Sequence, residues 1–219
     1  MFRSIQVIGR GRVGSAVAGR LRERGVLAER EPADLVLLCV PDGAIAEVAR
    51  TVAEGPWIAH VSGATPLAAL APHVRRFGVH PLQTFTRERG PEQLDGAWAA
   101  VTGETSDARA RGHWIAAQLG LRPFGMTEQG RVMYHAGAVM ASNYLVTLYR
   151  AAARAVELAG APPEALVPLM RRTIENGFDL TGPIARGDWK TVEAHLEALQ
   201  RQAPDLVPMY RALAEATAR

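Results

Sequence analysis

Ile5-Gln6-Val7-Ile8-Gly9-Arg10-Gly11-Arg12-Val13-Gly14-Ser15 is the stretch that decides the fold. Apolar Ile5, Val7 and Ile8 read as a buried strand, and residues 15–24 carry helical spacing. Between them Gly9, Gly11 and Gly14 hold the G-x-G-x-x-G spacing. In a strand–turn–helix setting each glycine has a task. Gly9 permits the tight turn, Gly11 admits a pyrophosphate to the backbone, and Gly14 lets helix and strand pack closely. The unpaired N–H groups of the first helical turn attract phosphate, aided by the helix dipole.

Outward from this loop, residues 25–29 suggest a short second strand. Glu29 lies 20 residues after Gly9, where a carboxylate binds the adenosine ribose; Arg30 beside it could instead meet a 2′-phosphate, and Arg10 and Arg12 tilt the reading toward NADP. Only Glu31, Pro32 and Ala33 then separate this segment from Asp34, which leaves no room for a crossover helix. The run from Leu35 to Val40 reads as a buried parallel strand ended by Pro41, with Asp42 capping a helix over 43–53. Strands over 57–61, 77–79, 97–101 and 121–126 follow, with helices over 65–70 and 106–119. Alternating strands and helices imply a Rossmann-like, mostly parallel α/β sheet over residues 1–126. From Thr127 onward no strand is convincing. One long helix over 128–159, a second over 163–176, a third capped by Asp188 and a fourth opened by Pro204 make an all-α domain over 127–219.

Composition narrows the function. The 219 residues are 48% hydrophobic and 21% charged, as in ordinary globular proteins. No apolar run has the length of a membrane span, and the chain enters its first strand without a signal peptide. Cys39, the single cysteine, lies inside an apolar run and excludes an intramolecular disulfide, which fits a cytoplasmic setting. The arginines are dispersed along helices, against nucleic-acid binding. Lys190 is the only lysine and lies in a polar helix start, against lysine chemistry. There is no H-x-x-x-H, no cysteine pair and no G-x-S-x-G, so neither a metal centre nor a serine hydrolase is expected.

Three polar sets fall where such a sheet presents groups to its ligand: Ser62-Gly63, His80 with Gln83 and Thr84, and His135 with Ser142 and Asn143. At about 100° per residue, His135, Ser142 and Asn143 share one otherwise apolar helix face with Val139. A histidine is suited to exchange a hydroxyl proton as hydride leaves or reaches carbon. His60 reads as a satisfied core histidine, and His73, His113 and His195 as surface residues. Arg186 could offer a cation to a substrate carboxylate, or be a solvated arginine at a helix entry.

The chain resembles a little-characterised bacterial family with a Rossmann-like N-terminal domain and a C-terminal helical domain of unassigned function, related to 6-phosphogluconate and β-hydroxyacid dehydrogenases. The resemblance is carried by residues 9–14, Leu38-Cys39-Val40-Pro41-Asp42, residues 60–63, residues 79–85, Tyr134-His135 with Ser142-Asn143, and residues 180–188. It implies NAD(P) held by Gly9, Arg10, Gly11, Arg12, Val13, Gly14, Arg30, Val40, Pro41, Asp42 and Ser62, a cleft between domains, and a homodimer built through the C-terminal helices. Ser62 corresponds to the loop beside the nicotinamide, His80 is similar to the His-Pro of prephenate dehydrogenases, and Asn143 matches the β-hydroxyacid dehydrogenase asparagine. Val139 stands where those enzymes carry their lysine, so the lysine mechanism does not carry over. The resulting expectation is an NADP-dependent (NAD possible) oxidoreductase for a small anionic hydroxy or carbonyl substrate, with His80, His135, Asn143 and Ser62 as catalytic residues. The alternative is a non-catalytic NAD(P)-binding sensor or scaffold.

Overall fold

Leu35-Val36-Leu37-Leu38 forms β2 (Leu35–Leu38), in which all four side chains are buried. Strand alternation sends them to opposite faces. Leu35 and Leu37 join the core under α1 (Arg12–Glu23) and α3 (Ser106–Gln118), whereas Val36 and Leu38 join Ile45 and Ala49 of α2 (Ile45–Thr51). A continuous apolar run is what a strand covered on both faces requires. The computed structural model describes residues 1–28 and 32–219.

The sheet orders β1 (Ile5–Ile8), β2, β3 (Trp57–His60), β4 (Arg76–Leu82), β5 (Trp98–Thr102) and β6 (Arg122–Gly125) side by side. All neighbours are parallel except β4 and β5. This is a Rossmann-like α/β fold. Because α1 and α2 cover opposite faces, the carboxyl ends of β1 and β2 flank a topological switch point, where such sheets bind ligands. On the outer side of β1, Leu27 makes one isolated parallel bridge to Ile5 rather than a full second strand. Glu29 and Arg30, expected at the adenosine ribose, lie outside the described residues.

The expected elements recur with local differences. The helix read over 43–53 is a 3₁₀ turn at Asp42–Ala44 followed by α2, and the Asp42 side chain caps neither. The helix expected over 65–70 is only a 3₁₀ turn, Leu67–Leu70. Strand β4 continues through His80-Pro81 to Leu82, so His80 is a strand residue opposite Ala100. β3 pairs no further than Gly78, and beyond it that side of β4 is an edge, where proline is tolerated.

The chain divides into compact units at residues 1–139 and 140–219. The first helix after the sheet, α4 (Arg131–Val139), therefore belongs with the sheet. Met140–Tyr144 is a π segment. The second unit continues with α5 (Leu145–Leu158), α6 (Leu166–Glu175), α7 (Trp189–Gln202) and α8 (Val207–Thr217). Asp188 caps α7 as expected, accepting from the Thr191 N–H at 3.2 Å. No described residue of α5 or α6 is buried, and Leu145, Val146, Leu148, Leu169 and Ile174 are all exposed.

Gly14 is buried where a Cβ would strike the Gly9 carbonyl oxygen and lie 3.0 Å from Cys39 Cβ. Gly14→Ala is expected to cost roughly 3 kcal/mol, the upper range of overpacking, as a lower urea midpoint. An unchanged midpoint would show that α1 can retreat from β1.

Candidate functional site

The glycine loop is shaped by backbone contact. Gly9 adopts φ +105°, and a Cβ there would meet the Cys39 carbonyl group, its carbon at 2.6 Å, and the Val40 nitrogen at 3.1 Å. Gly9 and Gly14 thus pin the loop against the end of β2. Gly11 differs: a Cβ would meet nothing within 4 Å. It is the N-cap of α1 and contributes no side-chain cap, which leaves the first-turn N–H groups for a ligand. Arg10, Gly11 and Arg12 are exposed, Val13 half-buried, and exposed Pro41 and Asp42 follow half-buried Val40 at the neighbouring strand end. An open glycine, uncapped N–H groups and two arginines fit a pyrophosphate. Cys39 is buried, and burial pushes its thiol up to about 12, so it is inert.

A second cluster lies on the sheet face that α4 covers. His60, Gly78, His80, Ala100 and Thr102 share that face by strand register. Residues 131, 134 and 135 share one side of α4. His80 Nδ1 lies 2.8 Å from the Tyr134 hydroxyl, and the His80 and His135 rings are 6.2 Å apart. Gly63 lies against both rings. A Cβ there would fall 2.7 Å from His135 Cδ2, 2.8 Å from His80 Cε1 and 2.9 Å from His80 Nε2. Neither His80 Nε2 nor either nitrogen of His135 has a hydrogen-bond partner among the described residues.

Arg131 supports this cluster and was not anticipated from the sequence. Its guanidinium, 2% exposed, reaches Glu128 at 2.9 and 3.0 Å, the Thr102 hydroxyl at 2.6 Å and the Ser62 carbonyl at 3.3 Å. Gly78 has no side chain because a Cβ would crowd Thr102 Oγ1 at 2.7 Å, His60 at 3.3 Å and Arg131 at 3.4 Å. Burial alone would raise the Glu128 carboxyl, but its bonds to Arg131 and the Leu67 N–H hold it below the ordinary range. The only local signal was the i,i+3 spacing of Glu128 and Arg131, which equally describes a surface pair.

The other expected residues are placed as follows. The Ser62 hydroxyl is held in its own turn, accepting from the Ala64 and Thr65 N–H groups at 3.2 and 2.9 Å and donating to the Thr65 hydroxyl at 3.0 Å. It shapes the loop that presents Gly63. Asn143 lies in the second unit, exposed, its Oδ1 accepting from Ser142 at 3.0 Å. Both belong to the π segment, so a reckoning at about 100° per residue does not run through them. His73, expected at the surface, is buried, its Nε2 2.9 Å from the Ala49 carbonyl. His60 is fully buried, but among the described residues neither ring nitrogen has a hydrogen-bond partner. Among the described residues no group of three metal-ligating side chains occurs, and no helix is long and apolar enough to cross a membrane.

Residues 97–217 match the family described as a domain of unknown function, DUF2520. No curated protein matches the chain by sequence. Among solved structures, the Bacteroides fragilis protein BF3122, whose name proposes an NADP oxidoreductase, has a TM-score of 0.81 at 22% identity, over 99% of this chain and 98% of that one. An imine reductase from Aspergillus terreus, solved with NADPH4, gives 0.66 at 19% identity, over 99% and 94%. The 1-pyrroline-5-carboxylate reductase of Streptococcus pyogenes gives 0.63 at 18% identity, over 98% and 96%. At these identities the likeness is one of fold.

Burial first and Arg131 second push His60 down to about 4. Burial first, then His135 and Arg131, bring His80 to about 4, with Asp42 acting the other way. Both rings are neutral when folded and take a proton near 6.5 when unfolded, so their stabilisation is complete above pH 6.5 and lost as pH falls through 4. Urea midpoints are expected to drop between pH 7 and pH 4.5, and less steeply in His60→Leu. Equal slopes in the two proteins would remove His60 from this effect.

Proposed function

The chain belongs to the DUF2520 family, and from that premise we propose that it is an NADP(H)-dependent oxidoreductase. The observation that carries this reading is the pairing of an open phosphate loop at the switch point with two imidazoles that keep unpartnered nitrogens over Gly63. Asp42 connects the two places, since it follows the strand end beside Gly9 and its charge is felt at His80. The names of structural neighbours, with their NADP and NADPH, support the cofactor, and the resemblance to 6-phosphogluconate and β-hydroxyacid dehydrogenases is consistent with it.

The backbone at Gly9, Gly11 and Gly14, with Arg10, Arg12, Val13, Val40 and Pro41 around it, would hold the pyrophosphate, and Arg30 a 2′-phosphate. Bound NADPH supplies a hydride. The chain supplies the rest of the reading: Gly63 gives the substrate room, and His80 or His135 hydrogen-bonds the oxygen whose proton must be exchanged. Ser62 holds the loop. The proposed substrate is a small anionic hydroxy or carbonyl compound. The domains are proposed to act as a sheet part and a helical part, the exposed apolar side chains of α5 and α6 pairing in a homodimer. A lone buried thiol fits a cytoplasmic site of action.

Fluorescence titration is expected to show micromolar or tighter binding of NADPH, ahead of NADH. Gly11→Val should weaken NADPH at least about tenfold, about 1.4 kcal/mol, with no change in melting temperature because the position is open. Absence of NADPH binding by the folded wild-type chain would end the oxidoreductase reading. His80→Asn should keep nucleotide affinity and lower turnover by about 10²-fold; unchanged turnover would assign the proton to His135.

A further inference from the structure

The imidazole of His80 has one proton to place on two nitrogens, and the nitrogen that holds it decides what the site offers a ligand. Nδ1 lies 2.8 Å from the Tyr134 hydroxyl. Nε2 lies beside Gly63, 2.9 Å from where a Cβ would be, and is unpartnered among the described residues. The Tyr134 ring is fixed from two sides, edge-on to His80 at 5.5 Å and to Phe124 at 6.0 Å. Its hydroxyl has no other hydrogen-bond partner among the described residues. A phenol accepting from Nδ1–H would leave its own proton unsatisfied in a half-buried position, whereas donating to Nδ1 satisfies both groups.

We infer that Tyr134 is a positioning residue: its hydroxyl donates to Nδ1 of His80 and thereby places the single imidazole proton on Nε2, facing the space above Gly63. The site then presents a neutral N–H donor, and its partner is a substrate in the acceptor form, a carbonyl oxygen or imine nitrogen. Burial keeps the phenol protonated, its pKa raised to about 12, and keeps the imidazole neutral at physiological pH. A neutral imidazole can polarise a carbonyl in this way. Among the described residues His135, Arg131, Asp42 and His60 act on His80 by charge, and Tyr134 bonds its ring. This rests on the oxidoreductase reading for its use, but not for its geometry.

Histidine-selective 15N NMR of the full chain at pH 7 tests it, with the His80 signals assigned by His80→Asn. The expected result is an unprotonated, hydrogen-bonded Nδ1 and a protonated Nε2. Tyr134→Phe should move the Nδ1 resonance toward the unbonded position and leave the His73 and His195 signals in place. Incorporation of 3-fluorotyrosine, which acidifies the phenol without removing it, should move Nδ1 the opposite way. A proton found on Nδ1 in the wild type, or His80 signals unaffected by both changes, would overturn the inference. NADPH titration of the same sample separates the two readings. Binding with a protonated Nδ1 ends the tautomer assignment alone, and no binding with the expected tautomer ends the oxidoreductase reading alone.

Discussion

The buried guanidinium of Arg131 is the constraint on which the candidate site depends. A cation out of water is costly unless its donors are paired, and removal of one partner leaves that cost uncompensated. Glu128, Thr102 and the Ser62 carbonyl supply the pairing. Each comes from a different place: the entry to α4, strand β5, and the loop after β3. Their convergence fastens α4 to the sheet. Because Tyr134 and His135 lie three and four residues beyond Arg131, the same fastening sets both rings over His80 and Gly63. Gly78 completes the arrangement by yielding the volume that the guanidinium and the His60 ring occupy.

The two halves of the site use opposite physics. At the glycine loop the working groups are backbone N–H donors left open to solvent and ligand, with arginines at the rim. At the histidine cluster His60 and His80 are desolvated, and burial beside a fixed cation keeps these two imidazoles neutral. An anion is favoured at the first and a hydrogen-bonding neutral group at the second.

Local pattern made much of this legible. The glycine spacing, the buried strand over residues 35–40 and the helical second half were readable, since strand period, glycine and capping residues act over a few positions. His80, His135 and Gly63 were also singled out, although only the fold shows that they meet. His73 reads as surface and is buried; His60 reads as satisfied and has no hydrogen-bond partner among the described residues. β4 runs on through a proline because its neighbour β3 stops first. Asn143 was placed by a constant helical angle that the π segment does not keep. For His73 and β4 the deciding neighbour is far away in sequence, whereas the π segment that carries Asn143 is a local feature.

The sequence by itself determined the order of elements, the tight glycine-loop geometry and the presence of a single lysine and a single cysteine. Those properties follow from residue type and spacing within a single turn or strand. Only the tertiary structure decided that Arg131 is a buried support and that Tyr134 bonds His80. Burial and charge pairing are set by which elements stack, and a polar side chain carries no local mark of whether water or a guanidinium will face it.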